Sequence, residues 1–151
     1  MTASQYLNQI ATLETRTQRD RERLEELRAT SGISSLRYGC KVQTSRTDIL
    51  GDHAAEVIDL EQKYVDDIVE LETAKSETLN IIHTLDDEPC EQLLYLRYIR
   101  QLNFYEISDS MSFSLSYLHR LHNKALRTFQ KRLESCGMLT PENLTKPNMK
   151  N

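Results

Sequence analysis

Apolar positions recur on a helical period along most of this chain. Tyr6, Ile10, Leu13, Thr17, Asp20, Leu24 and Leu27 are separated by alternating steps of four and three. That spacing lines up one face of a helix against a partner. Thr17 and Asp20 put polar side chains in the middle of the seam. No Gly or Pro lies between Ser4 and Thr30, so the pattern predicts an unbroken helix there. Its flanks are rich in Arg and Glu, as in RDRERLEELR. Pairs of such charges four apart are worth about 0.2–0.5 kcal/mol each, and they read as a solvated face.

The period fails from 31 to 47. Ser31-Gly32 and Gly39 break the helix, and Arg37, Lys41 and Arg46 make the stretch basic with no acid inside it. An irregular loop is expected at 31–47. Either it contacts a nucleic-acid backbone or it is disordered, and length favours disorder. Asp48 is expected to cap the next helix. A second seam then runs Leu50, Ala54, Val57, Glu61, Tyr64, Ile68, Leu71, Lys75, Thr78, Ile82 and Leu85, and Ile58, Val65 and Leu79 widen it. A helix from Asp48 to Leu85 is about 55 Å long, and with one apolar face it does not stand alone in water. The first helix can fold back on it as an antiparallel hairpin. That first helix is shorter and polar in its middle, so the hairpin is under-filled. Self-association into a coiled-coil core of four or more helices is therefore expected.

Asp86-Asp87-Glu88-Pro89 ends one helix and starts another, because Pro and acids suit a first helical turn. Leu93, Leu94, Leu96, Tyr98 and Ile99 predict a short apolar helix ending near Leu102-Asn103. Tyr105 to Met111 follows, with Ile107 and Met111 on one face. Ser112-Phe113 makes a tight joint. Ser114 is the expected N-cap of a third helix, Leu115 to about Glu134, whose apolar face is Leu118, Leu121, Ala125, Leu126 and Phe129. Three helices with a short joint before the last follow the helix-turn-helix plan. The expected architecture is all-α. It comprises a long N-terminal helical hairpin at 1–86, a three-helix helix-turn-helix unit at 87–135 and a disordered tail at 136–151.

Composition removes the competitors. Among 151 residues there are four Gly, three Pro and no Trp, too few chain breakers for a β-sandwich or barrel and too few glycines for a phosphate loop. The apolar runs are too short to span a membrane, and the N-terminus has no apolar signal-peptide core. Cys40, Cys90 and Cys136 have no paired spacing and read as free thiols in a reducing cytoplasm. His119 and His122 have a possible metal-ligand spacing but no second pair of ligands nearby, so no metal is expected. His53 and His83 read as solvated. No nucleophile–base pair or carboxylate dyad stands out, so neither an enzyme nor a cofactor is expected.

Charge gives the functional pointer. The net charge of −4 divides into −9 for residues 1–92 and +5 for residues 93–151. Opposite the apolar stripe of the last helix lie Ser116, Tyr117, His119, Arg120, Asn123, Lys124 and Arg127, and no acid occurs between Asp109 and Glu134. With Ser114 at its start, such a helix can reach base edges in the major groove of double-stranded DNA. Lys124, Arg127, Lys131 and Arg132 are placed to neutralise phosphates. Arg97 and Arg100 are further backbone candidates, Arg97 alternatively an internal structural pair.

The stretch LLYLRYIRQLNFYEISDSMSFSLSYLHRLHNKALRTF resembles sigma-factor region four. The resemblance is carried by Leu96-Arg97-Tyr98, Glu106-Ile107-Ser108, Ser114 and Lys124-Ala125-Leu126. Ser108 stands where Ala is usual and Phe104 where Ser or Thr is. Met111-Ser112-Phe113 replaces a Leu-Gly-Ile type of turn. With YLNQI near the start, KVQTS and the long Leu-rich helix, the whole chain resembles small phage and prophage transcriptional regulators of the ArpU/RinA type. That resemblance implies activation of phage late genes in the cytoplasm of a bacterial host. It also implies recognition through Ser116, Tyr117, His119 and Arg120, with no enzymatic activity. The alternatives are a DNA-packaging protein of small-terminase type and a coiled-coil adaptor that binds RNA polymerase.

Overall fold

Both heptad-spaced stretches form long helices in the computed structural model, which describes the backbone of residues 1–37 and 45–137 and the side chains of 1–30 and 51–137. Helix α1 is Ala3–Arg37 and α2 is Ser45–Ile82. The expected loop at 31–47 is corrected at both ends. Helix α1 continues through Ser31-Gly32, and α2 starts ahead of Asp48, which falls inside its first turn instead of capping it. One glycine inside a helix costs only about 1 kcal/mol relative to alanine, too little to stop 35 residues. Residues 38–44, with Gly39, Cys40 and Lys41, lie outside the described residues, as does the tail from 138.

Helix α3 is Glu88–Leu94. Asp87 caps it, accepting from the Cys90 amide, with Pro89 in the first turn. A π-helical turn, Tyr95–Ile99, follows. The helix stops there, short of the expected Leu102, because Gln101 turns to φ 57° and its side-chain amide donates to the Tyr98 carbonyl at 2.7 Å. Helix α4 is Phe104–Met111, with Asn103 and Glu106 capping one another's backbone amides at 2.9 and 2.8 Å. Ser112 closes it in the left-handed conformation, φ 58°. Helix α5 is Leu115–Ser135, capped by Ser114, whose hydroxyl accepts from the Tyr117 amide at 3.2 Å. The structure is all-α, with no strand among the described residues, and none of its helices is long and apolar enough to cross a membrane.

Two compact units divide the chain. One comprises residues 1–12 and those from 73 onward. Its core joins Leu93, Leu94, Ile107, Leu118, Leu121, Ala125 and Phe129 from the C-terminal helices with Ala3, Leu7, Ile81, Ile82 and Leu85. The start of α1 is fixed there by the Ala3 amide, which donates to Gln130 Oε1 at 2.6 Å, and by the Tyr6 ring 6.0 Å from Phe129.

The other unit is Leu13–Glu72. Arg16 pairs with Asp67 and Glu70, Lys63 with Asp20, Arg23 with Glu56 and Arg28 with Glu61. From Arg16 through Asp20 to Arg23 the partners on α2 fall from Asp67 through Lys63 to Glu56, so the two run antiparallel. Leu13, Thr17, Asp20, Leu24 and Leu27 are buried, the α1 seam read from sequence. The α2 seam is displaced at alternate positions. Val57, Tyr64 and Leu71 face inward as expected, but His53, Leu60 and Asp67 replace Ala54, Glu61 and Ile68 as the inward positions between them. Arg16 holds Asp67 inside, while Ala54 is exposed and Ile68 half-buried. His53, expected to be solvated, is half-buried, with Nε2 3.0 Å from the Leu27 carbonyl.

Candidate nucleic-acid interface

The roll of α5 is set by what it buries. Leu118, Leu121, Ala125, Phe129 and Leu133 all turn into the core. The opposite ridge is then Ser116, Arg120, Asn123, Arg127 and Lys131. All five are exposed, and none of their side chains has a hydrogen-bond or ion-pair partner among the described residues. At 1.5 Å per residue the ridge is about 22 Å long. Arg120 and Arg127 are two turns apart, about 10 Å, and present two uncommitted guanidinium groups in a row.

One flank of the ridge is aromatic. The His119 ring lies 4.6 Å from Phe104, and the His122 ring meets Phe104 edge-on at 5.3 Å. His122 Nε2 is 2.9 Å from the Tyr98 hydroxyl. Burial lowers the His122 pKa, and the Arg97 and His119 charges lower it further. Arg97 is held internally: it donates to the Leu102 carbonyl at 3.2 Å and lies 5.3 Å over the Phe104 ring. Of its two sequence readings, the geometry matches the internal structural one. Arg100 is exposed, and its side chain has no partner among the described residues.

The other flank is ionic. Tyr117 packs edge-on against Phe113 at 4.9 Å and keeps 42% of its surface exposed. Lys124 pairs with Asp87, and Arg132 with Asp86 at 2.8 Å. The Lys124 hydrogen bond holds the Asp87 carboxyl below its usual range, and Asp87 raises Lys124 in return. Two of the four cations assigned to phosphate are thus already matched by internal carboxylates, which leaves Arg127 and Lys131. Sequence reasoning missed these pairs because the partners lie 37 and 46 positions apart. Ser114 is engaged as the cap of α5.

A cleft of about 600 Å³ lies elsewhere, lined by Ile82, Leu85 and Tyr95 with Asp86, Glu88 and Glu91 at its rim. Among the described residues no three His, Cys, Asp or Glu side chains are grouped to hold a metal ion. Cys90 is fully buried, and burial pushes its thiol up to about 11. Compared with family models, with curated proteins and with solved structures, the chain matches none.

Proposed function

We propose that this chain is a sequence-specific regulator of transcription that binds double-stranded DNA, with α3, α4 and α5 acting as a helix-turn-helix and α5 lying in the major groove. The observation that carries the reading is the uncommitted ridge on α5, where Ser116, Arg120 and Asn123 point outward without partners among the described residues. Side chains of these types read base edges: Arg pairs with guanine and Asn with adenine, each good pair worth about 1–3 kcal/mol of discrimination. His119 and Tyr117 border the ridge, steadied by Phe104 and Phe113. Arg127, Lys131 and Arg100 supply backbone contacts, and Lys124 and Arg132 join them only if phosphate displaces Asp87 and Asp86.

On the resemblance to phage and prophage regulators, the proposed site of action is a late promoter, with RNA polymerase as a second partner. The paired N-terminal helices would join two chains on neighbouring half-sites. Mapping protein-bound DNA across the genes neighbouring this one tests the reading. Occupancy at a promoter supports it, occupancy at a packaging site points instead to a small-terminase role, and no retained DNA points to a polymerase adaptor.

A further inference from the structure

Among the described residues, Tyr117 is the one exposed large apolar side chain on α5, while Leu118, Leu121, Phe129 and Leu133 are buried. It stands in the first turn of the helix, three residues past the capping Ser114. Phe113 steadies its ring, meeting it edge-on at 4.9 Å and 65°. Phe113 is itself half-buried and packed against the core. The backbone under it is fixed by Ser108, whose hydroxyl donates to the Phe113 carbonyl at 2.6 Å. An anchored aromatic ring thus stands beside Ser116 and Arg120, both polar and exposed.

We propose that Tyr117 determines specificity by reading the 5-methyl group of thymine, with Phe113 as the residue that positions it. The inference rests on the DNA-binding reading above and deepens it by naming a base. Residues at the start of a recognition helix are the ones that reach base edges in the major groove. The groups that base pairs present there are hydrogen-bond donors and acceptors, with one exception, the thymine methyl. Ser116, Arg120 and Asn123 match the donors and acceptors. An apolar ring matches only the methyl, which in unmodified DNA belongs to thymine alone. A ring already held by Phe113 loses little freedom on binding, so little of the gain from burying the methyl is offset by ordering.

Helix geometry sets the place of the contact. Tyr117 lies about 4.5 Å along the axis from Arg120, and successive base pairs are about 3.4 Å apart. The thymine it reads is therefore one or two base pairs from the guanine that pairs with Arg120. The strength follows from the group buried, since one methyl changes affinity by about fourfold. The contact engages no phosphate, so it leaves the salt dependence of binding unchanged.

Titrating the full chain on its best-bound fragment of neighbouring DNA, and on copies with single thymines replaced by uracil, tests this. The replacement removes the methyl group and leaves the pairing edge intact. The unaltered chain should lose about fourfold in affinity at one thymine for each chain bound. Tyr117→Ala should bind the thymine fragment at least about fourfold more weakly, bind its uracil copy equally well, and keep the salt slope. Tyr117→Phe should keep the discrimination, because the ring and not the hydroxyl meets the methyl. Phe113→Leu, which loosens the ring, should reduce it. Each protein is compared with itself on two DNAs, so damage to the fold does not imitate the result. Indifference of the unaltered chain to every thymine methyl, or discrimination that survives Tyr117→Ala, overturns the proposal and leaves the DNA reading standing. No retention on any DNA overturns both.

Discussion

Asp20 and Asp67 meet where a helix seam ordinarily holds leucine. Burial, with Asp20 alongside, holds the Asp67 carboxyl above its ordinary range in spite of Arg16. Asp20 Oδ2 is buried without a hydrogen-bond donor. A raised pKa means that the proton favours the folded state. The stability it gives is present below the ordinary Asp value of 3.8 and is lost as pH rises through the folded value. At pH 7 Arg16 and Lys63 offset only part of the repulsion between the two carboxylates. Asp20→Asn supplies an amide donor to Asp67 and keeps an oxygen for Lys63. Thermal unfolding at pH 7 should show a gain of about 1 kcal/mol, shrinking toward pH 3. A loss of stability at pH 7 would contradict this account. His122 works in the opposite direction. Its lowered pKa means stability that is present above the ordinary 6.5 and lost as pH falls through the folded value. The unfolding midpoint should drop below pH 6.5, and His122→Gln should flatten that drop.

The elements differ in how far the sequence discloses them. Helix α5 was legible almost to the residue because Ser114 caps it and its apolar face keeps one period from Leu118 to Phe129. The outward ridge follows as the complement of that face. The α2 seam was less legible, because an Asp at 67 looks like surface until Arg16 arrives from the other helix. The internal pairs of Lys124 and Arg132 have no local signature either, and their removal from the free phosphate set had to come from the structure. The core of the C-terminal helices also borrows from both long ones. Leu7 and Ile82 are fully buried in it, and each such side chain is worth about 1.5–3 kcal/mol, a large share of the roughly 5–15 kcal/mol of a small domain. A fragment of residues 86–137 should thus show little helicity by circular dichroism. Cooperative unfolding of that fragment with native-like helicity would contradict the shared core.

At the scale of the molecule, an acidic N-terminal stretch and a basic C-terminal one sum to a mildly acidic protein. That total speaks against nucleic acid only until it is resolved along the chain. On the proposed reading the residues available for DNA are few: Arg120 and Asn123 for bases, and Arg100, Arg127 and Lys131 for phosphates. Three phosphate contacts give a slope of log affinity on log salt near −2.7 for each chain. Freeing Lys124 and Arg132 by Asp86→Asn with Asp87→Asn should steepen it toward about −4.5, and Asn at 87 still caps α3. The most direct test titrates the full chain and its Arg120→Ala variant on the best-bound fragment of neighbouring DNA between 50 and 200 mM salt. The expected result is a slope near −2.7 per chain, with Arg120→Ala weakening that fragment by about 1–3 kcal/mol and leaving random DNA nearly unchanged. Equal binding by the variant, or retention that does not vary with salt, would contradict the account.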